Sequence, residues 1–423
     1  MPNTGKQPAS GWAAAEKPLY GGMAMAAWLV IGVLTLTPTP SAIEESATTP
    51  LLCLVCGQAG AVDVFWNLLL FIPLGFSLRM LGLSWKRVIG LSALTTLTVE
   101  VIQFLAPGRD PSLSDLLTNL GGGAAGAVLA RAYPALWRPA RARLPFFILV
   151  SALAPVLVLA GAAWLLQPSP PATLWYGHHA PDMGSWEQFR GTVDSAWIGD
   201  AVLPHGPMRA LDTRRLREDR QLPRLAARFT SGPRVPGLAP IALVTDVHRK
   251  VLLLGQEGTN LHFEARIRGE DFRFRALGVA ICGAIPDTSG LSLSARGEYD
   301  GKVVALAVES PTSRIVRNLR ITPALGWTLL SPIHRPIGSE AAPASAVFLL
   351  ILWAPLGFYS NRHIERRKPG RSVVVAAVLA VAAALVTSLV SLSFGSGLED
   401  WPGWLGPAAG AGFGSLVARW DRS

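Results

Sequence analysis

Charge is what this chain lacks most. Only 16% of its 423 residues are Asp, Glu, Lys or Arg, half are hydrophobic, and the mean hydropathy is +0.36. That balance excludes an ordinary soluble enzyme and points to a polytopic membrane protein. Cysteine is scarcer still, with three residues, which excludes a scaffold built on disulfides. Acidic residues are outnumbered, 28 against 38 basic, for a formal net charge of +10. In a membrane chain such an excess marks cytoplasmic loops, and no aromatic–basic interleaving suited to nucleic acid accompanies it. No D-x-D-x-D loop offers a calcium site, so no metal and no cofactor is expected.

Hydrophobic stretches long enough to cross about 30 Å of hydrocarbon are abundant. They occur near 22–40, 64–83, 88–106, 116–133, 145–166, 344–360, 373–394 and 403–419, about eight spans, of which the fourth and eighth are Gly-rich. Basic clusters stand at Lys6 and Lys17, at Lys86 and Arg87, at Arg131 to Arg143, and at Arg362 to Arg371. Numbered in order, the spans put all of these clusters and both termini on one side, which the positive-inside rule makes cytoplasmic. The first span also admits a signal-peptide reading. Its core is long for one, and no clear A-x-A site follows.

Residues 167–343 then fall outside. They are polar, carry six of the seven His, and alternate with a two-residue period. In "LHFEARIR", Leu261, Phe263, Ala265 and Ile267 are expected to face in, with His262, Glu264, Arg266 and Arg268 out. Many short strands of this kind predict an antiparallel sandwich. The fold class is therefore mixed: a polytopic α-helical membrane protein with an inserted all-β sandwich. Four regions are expected: a cytoplasmic N-terminus (1–21), a membrane domain of five spans (22–166), the sandwich (167–343) and three C-terminal spans (344–423).

Polar residues collect at one predicted depth. Asp63 and Asn67 are four apart at the outer start of span two, and Glu100 and Gln103 three apart near the outer end of span three. Arg109 follows in the outer loop, and Asp115 and Asn119 open span four. Ionisable groups at that depth are costly unless paired or hydrated. The functional reading is an outward-opening site in which Glu100 (acid/base) and Asp115 do chemistry and Asp63, Asn67, Gln103, Arg109 and Asn119 bind. The structural reading is that Arg109 bridges a carboxylate while the amides tie the helices together.

Three spaced patterns hold these residues: D-x-x-x-N-x-x-x-F-x-P-x-G from Asp63 to Gly75, E-x-x-Q from Glu100, and R-x-x-S-x-x-D-x-x-x-N-x-G from Arg109 to Gly121. The set resembles the VanZ-like family of bacterial membrane proteins over roughly residues 22–135, and "LTLTPTP" looks like that family's first-helix ending. The resemblance implies a link to low-level glycopeptide (teicoplanin) resistance and no established molecular activity. The outer domain resembles a LamG or concanavalin A-like sandwich, which implies binding of glycans or proteins. The expected partners are the lipid bilayer and an envelope glycan or lipid-linked precursor, with no nucleic acid and no implied oligomeric state. The expected location is the bacterial inner membrane. An enzyme acting on a lipid-carried headgroup and a scaffold displaying the sandwich are the competing functions.

The last three spans look like a degraded copy of spans two to four. "LLFIPLGFSLR" (69–79) recurs as "LILWAPLGFYSNR" (350–362), and Asp115 ahead of a Gly/Ala run finds an apparent counterpart in Asp400. Asn67 aligns with Leu349, Glu100 falls near Ala384 and Asn119 near Trp404, so the copy has lost the polar set. Gly122 and Gly126, and Gly406, Gly410 and Gly414, form ridges of small residues, expected to pack span four against span eight. Cys53 and Cys56 suit a local disulfide in an oxidising outer loop, with free thiols or a metal as alternatives. Two cysteines alone make a poor zinc site, and His178 and His179 are too far along the chain to be assigned as its other ligands. Cys282 reads as a buried strand residue. Trp175, Trp186, Trp197 and Trp327 are read as core filling, with a sugar platform as the alternative.

Overall fold

The computed structural model describes residues 17–37, 59–104, 113–183, 186–208, 222–247, 249–287, 289–332, 336–338, 340–365, 372–397 and 400–420. Arg109, Ser112, Cys53 and Cys56 lie outside the described residues. The chain forms two compact units, Met1–Ala140 and Arg141–Ser423.

The first unit contains α1 (Lys17–Leu36), α2 (Gly60–Met80), α3 (Trp85–Phe104) and α4 (Leu113–Trp137). Their common core is Ala24, Ala27, Ile31, Phe71, Leu74, Leu78, Val88, Val99 and Ala127. Large apolar side chains such as Leu29, Leu94, Phe104 and Val128 point outward instead, as suits helices whose solvent is lipid.

The second unit begins with α5 (Leu144–Leu165), continues through a sandwich of β1 to β12, and ends with α6 (Ala341–Glu365), α7 (Ser372–Ser393) and α8 (Trp401–Trp420). Among the described residues, six helical segments are long and apolar enough to cross a membrane: those of α1, α2, α3, α5, α6 and α7. The Gly-rich α4 and α8 have 25 and 20 residues, so they match the others in length but not in hydropathy.

In the sandwich, β1 is Tyr176–His179, β2 Thr192–Ile198, β3 Ala201–Val202, β4 Gly206–Pro207, β5 Leu222–Thr230 and β6 Leu238–Thr245. Then come β7 (Lys250–Glu257), β8 (Asn260–Ala265), β9 (Leu277–Ile281), β10 (Ser292–Tyr299), β11 (Val303–Glu309) and β12 (Arg314–Arg320). One sheet has the order β4-β1-β6-β7-β8-β9 and the other β12-β11-β10-β5-β2-β3, with every strand pair antiparallel. Phe229, Phe263, Tyr299 and Trp175 fill the space between them. A side chain at Gly297 of β10 would strike the Phe263 ring of β8.

The alternation in "LHFEARIR" gives direction correctly but not exposure. Leu261, Phe263, Ala265 and Ile267 are in the core, yet His262, Glu264 and Arg266 are also buried. Each finds an opposite group that makes burial tolerable. Glu264 pairs with Lys250, Arg266 with Asp246 (3.3 Å) and Asp271 (2.7 Å), and His262 lies 3.1 Å from Glu257. Burial draws the Lys250 ammonium down, but Glu264 and Glu270 outweigh it and hold it above its usual value. Cys282 is likewise corrected: it follows β9 in a turn and is exposed. Trp175 is fully buried, as expected of a core residue.

The sandwich sits on one end of the second unit's helices. Tyr299 donates to the Leu166 carbonyl just past α5 (2.6 Å), and Gln167 to the Phe394 carbonyl just past α7 (3.1 Å). Arg320 of β12 pairs with Asp400, before α8, at 2.7 Å. Arg268 lies over the Trp164 ring, 4.7 Å from its centroid. Arg141, Arg143, Arg362 and Arg419 stand at the other helix ends.

The Gly ridges do not join span four to span eight. Each is filled within its own unit. Side chains at Gly122 and Gly126 of α4 would strike the Leu68 and Ile72 carbonyls of α2, and one at Gly75 would strike Gly123. In the second unit the partners of Gly410 and Gly414 in α8 are the Leu350 and Ala354 carbonyls of α6, and Gly357 faces Ala411. Bare backbone is needed at each crossing because the helices meet carbonyl to α-carbon.

The same contacts therefore recur with Leu68, Ile72, Gly75 and Phe76 replaced by Leu350, Ala354, Gly357 and Phe358. Gly122, Gly123 and Gly126 are replaced by Gly410, Ala411 and Gly414. This register corrects two sequence matches. Asp115 corresponds to Gly403 and Asn119 to Pro407, while Asp400 precedes α8 and serves Arg320.

Candidate functional site: a polar column in the first helical unit

The candidate residues converge because α2, α3 and α4 present their polar positions at one end of the unit. Asn67, one turn beyond Asp63 on α2, donates its amide N–H to the Asp115 carboxylate of α4 at 2.5 Å. Asn119, the next turn of α4, donates to the Thr96 hydroxyl of α3 at 3.0 Å. Gln103 near the end of α3 donates to the Thr35 carbonyl of α1 at 2.9 Å. Glu100 and Gln103 are buried, Asn119 is 2% exposed, Asn67 and Asp115 are half-buried, and Asp63 is exposed. Each tie reaches a different helix, so the site is assembled by packing rather than by one segment.

Two participants escaped sequence reasoning. Ser92 and Thr96 are both fully buried, and they stand eight and four residues before Glu100, respectively. With Gln103 they make a stripe at helical spacing that sequence inspection can find. The stripe extends the polar set inward. From Gln103 to Ser92 it runs about 16 Å along α3 at 1.5 Å per residue, roughly half the thickness of a hydrocarbon core. At its inner end the Ser92 hydroxyl abuts the spot where Gly123 of α4 lacks a side chain.

Chemically, the column presents two carboxyl groups, Glu100 and Asp115, beside three amides and two hydroxyls. The Oδ1 of Asn119 is buried and has no partner among the described residues. A buried amide oxygen left without a donor costs on the order of 1–3 kcal/mol, and a water or a ligand's N–H or O–H would relieve that cost. Among the described residues no group of three or more His, Cys, Asp and Glu is arranged to hold a metal.

A helix ending at Leu36 and followed by Asp63/Asn67, Glu100/Gln103 and Asp115/Asn119 on three packed helices is a specific constellation. Residues 24–137 match the VanZ/LLP1 family model. That match takes in α2, α3, α4 and most of α1, and with them every described residue of the column. It ends before α5 and leaves the sandwich and the C-terminal helices unassigned. No curated protein and no solved structure matches the chain.

Proposed function

We propose that this chain is a multi-pass protein of the bacterial inner membrane whose VanZ-like unit holds the polar headgroup of an envelope component, a lipid-linked or polymeric glycan. The observation that carries the reading is the gathering of Asn67, Asp115, Glu100, Gln103 and Asn119 at one end of one helical unit. Intramembrane polar and ionisable groups are expensive, and they persist where a polar molecule must be handled. In this reading all eight long helices span the bilayer, both termini are cytoplasmic, and the sandwich is extracytoplasmic. The arginines at the helix ends away from the sandwich support that orientation by the positive-inside rule. The family's link with glycopeptide resistance suggests a role under envelope stress.

A second reading, an enzyme acting on the headgroup, is favoured by the two carboxyl groups sharing the column, one to deliver and one to accept a proton. Both readings are tested by mass spectrometry of lipids that co-purify with the detergent-extracted chain. The expected result is a glycan-bearing lipid in the wild type that is depleted in Glu100→Gln and Asp115→Asn at equal protein recovery. Identical lipid profiles in all three proteins would leave the column a set of helix ties.

A further inference from the structure

The two sheets of the sandwich differ on their outer sides. On the β4–β9 sheet the residues that point away from the core, such as Leu243 and Leu253, are fully buried. The outer side of the β12–β3 sheet is open. Its register aligns Trp197, Ala226, Arg296, Ala307 and Val316 across β2, β5, β10, β11 and β12. The alternate residues Ala196, Leu225, Ala295 and Leu306 enter the core, so the aligned row faces outward. Small side chains at 226 and 307 leave a trough of about 400 Å³, walled by Trp197, Arg224, Arg296 and Glu309. That volume lies in the range of small-ligand clefts, roughly 300–1,000 Å³.

The charges in the trough are unevenly used. Arg224 pairs with Asp200 at 3.2 Å and Glu309 with Arg314 at 3.0 Å. Among the described residues no hydrogen bond or ion pair engages the Arg296 guanidinium, which is exposed in the middle of the row. Its planar fork fits a carboxylate through two parallel hydrogen bonds. Across Ala226 from it, two strands away, Trp197 is half-buried. An aromatic face accepts the C–H side of a sugar ring, while the Ser294 hydroxyl and the Asp200 and Glu309 carboxylates suit its hydroxyls.

We propose that this trough binds an acidic saccharide, with a sugar ring on Trp197 and a carboxylate on Arg296. The open ends of a trough on a sheet face suit a segment of a chain rather than a single enclosed sugar. Three residues along β10 from Arg296, Tyr299 is tied to the end of α5, so the saccharide lies close to the helical bundle. The proposal deepens the proposed function, which gives the chain an envelope glycan, by adding a second surface and the charge of its ligand.

The test is calorimetric titration of the full-length, detergent-purified chain with a uronic-acid tetrasaccharide and with its uncharged methyl ester. The acid is expected to bind at least about tenfold more tightly than the ester. Arg296→Ala should erase that preference, Trp197→Ala should weaken both ligands, and Trp197→Phe should retain binding. Unchanged thermal melting would show that the variants fold. Equal affinity for acid and ester, no binding of either, or full preference in Arg296→Ala overturns the proposal. Glu100→Gln separates it from the membrane site: acid binding should persist there even if the co-purifying lipid is lost. Loss of acid binding in Glu100→Gln would place the saccharide in the helical unit and refute the trough.

Discussion

The α2/α4 pair and the α6/α8 pair are built on one packing plan and differ in what they do with it. In both, carbonyls of the first helix press against glycines of the second at corresponding positions. In the first pair the polar end carries Asn67 on Asp115, and Asn119 reaches out of the pair to Thr96 of α3. In the second, the corresponding positions are Leu349, Gly403 and Pro407, and Leu349 is fully buried in an apolar cluster with Leu159, Trp353 and Leu356. Packing thus requires the glycines and not the acids. The second pair packs without acids at these positions, so close packing alone does not call for the polar residues of the first, in line with the proposal that they serve a ligand.

The largest effects should come from breaking the shared plan. Gly126→Leu and Gly414→Leu each put a side chain where a carbonyl already stands, and each should cost at least about 1–3 kcal/mol by overpacking. Melting of the purified chain should fall in both. Gly121→Leu should be tolerated, because its nearest neighbour is the Leu68 Cδ1 at 4.0 Å. A neutral Gly414→Leu would show that the two pairs are not alike.

A smaller effect should come from making the first pair resemble the second. Asn67→Leu installs the residue found at 349 and removes a donor to a carboxylate, a hydrogen bond worth roughly 1.5–3 kcal/mol. A double-mutant cycle of Asn67→Leu with Asp115→Ala, which removes the acceptor, should recover a coupling of that order. Additive effects would mean the two side chains are not partners. Leu349→Asn should not stabilise the second pair, since position 403 offers no acid.

The smallest effect concerns the sandwich, outside the comparison of helices. Burial, and then the neighbouring His205 and His179, hold the His178 imidazole below its ordinary 6.5. The unfolded chain therefore takes up this proton at higher pH than the folded one. Stability from His178 is complete above 6.5 and is lost as pH falls through the depressed folded value. Melting should drop across that window, and His178→Gln should shallow the slope. A slope unchanged in His178→Gln would assign the acid sensitivity to other groups.

Much of this was legible in the sequence, and the failures have physical causes. Hydropathy located the helices, two-residue alternation located the sandwich, and four- and three-residue spacings put Asn67, Glu100 and Asp115 at one end of a helical unit. The ridges were visible as motifs, but small residues announce a close approach without naming the partner, so the pairing of α4 with α2 had to come from the fold. Alternation shows which side chains leave the core and not what covers them, which is why Glu264 and Arg266 were read as exposed. Asp400 looked like Asp115 because both precede a Gly/Ala run. Only the carbonyl contacts show that it lies a turn earlier and belongs to Arg320. Ser92 and Thr96 were missed because single hydroxyls in an apolar helix carry little signal until Glu100 is given a face.

The central proposal is that the polar column of the first helical unit, on α2, α3 and α4, carries the function and that the α6/α8 pair carries only the packing. The most direct measurement is survival under glycopeptide stress of cells whose own copy is deleted and which express either Glu100→Gln/Asp115→Asn or Asp400→Asn at matched membrane levels. The account predicts that the double variant fails to restore growth and that Asp400→Asn restores it fully. Full rescue by the double variant, or failure of Asp400→Asn alone, would contradict it.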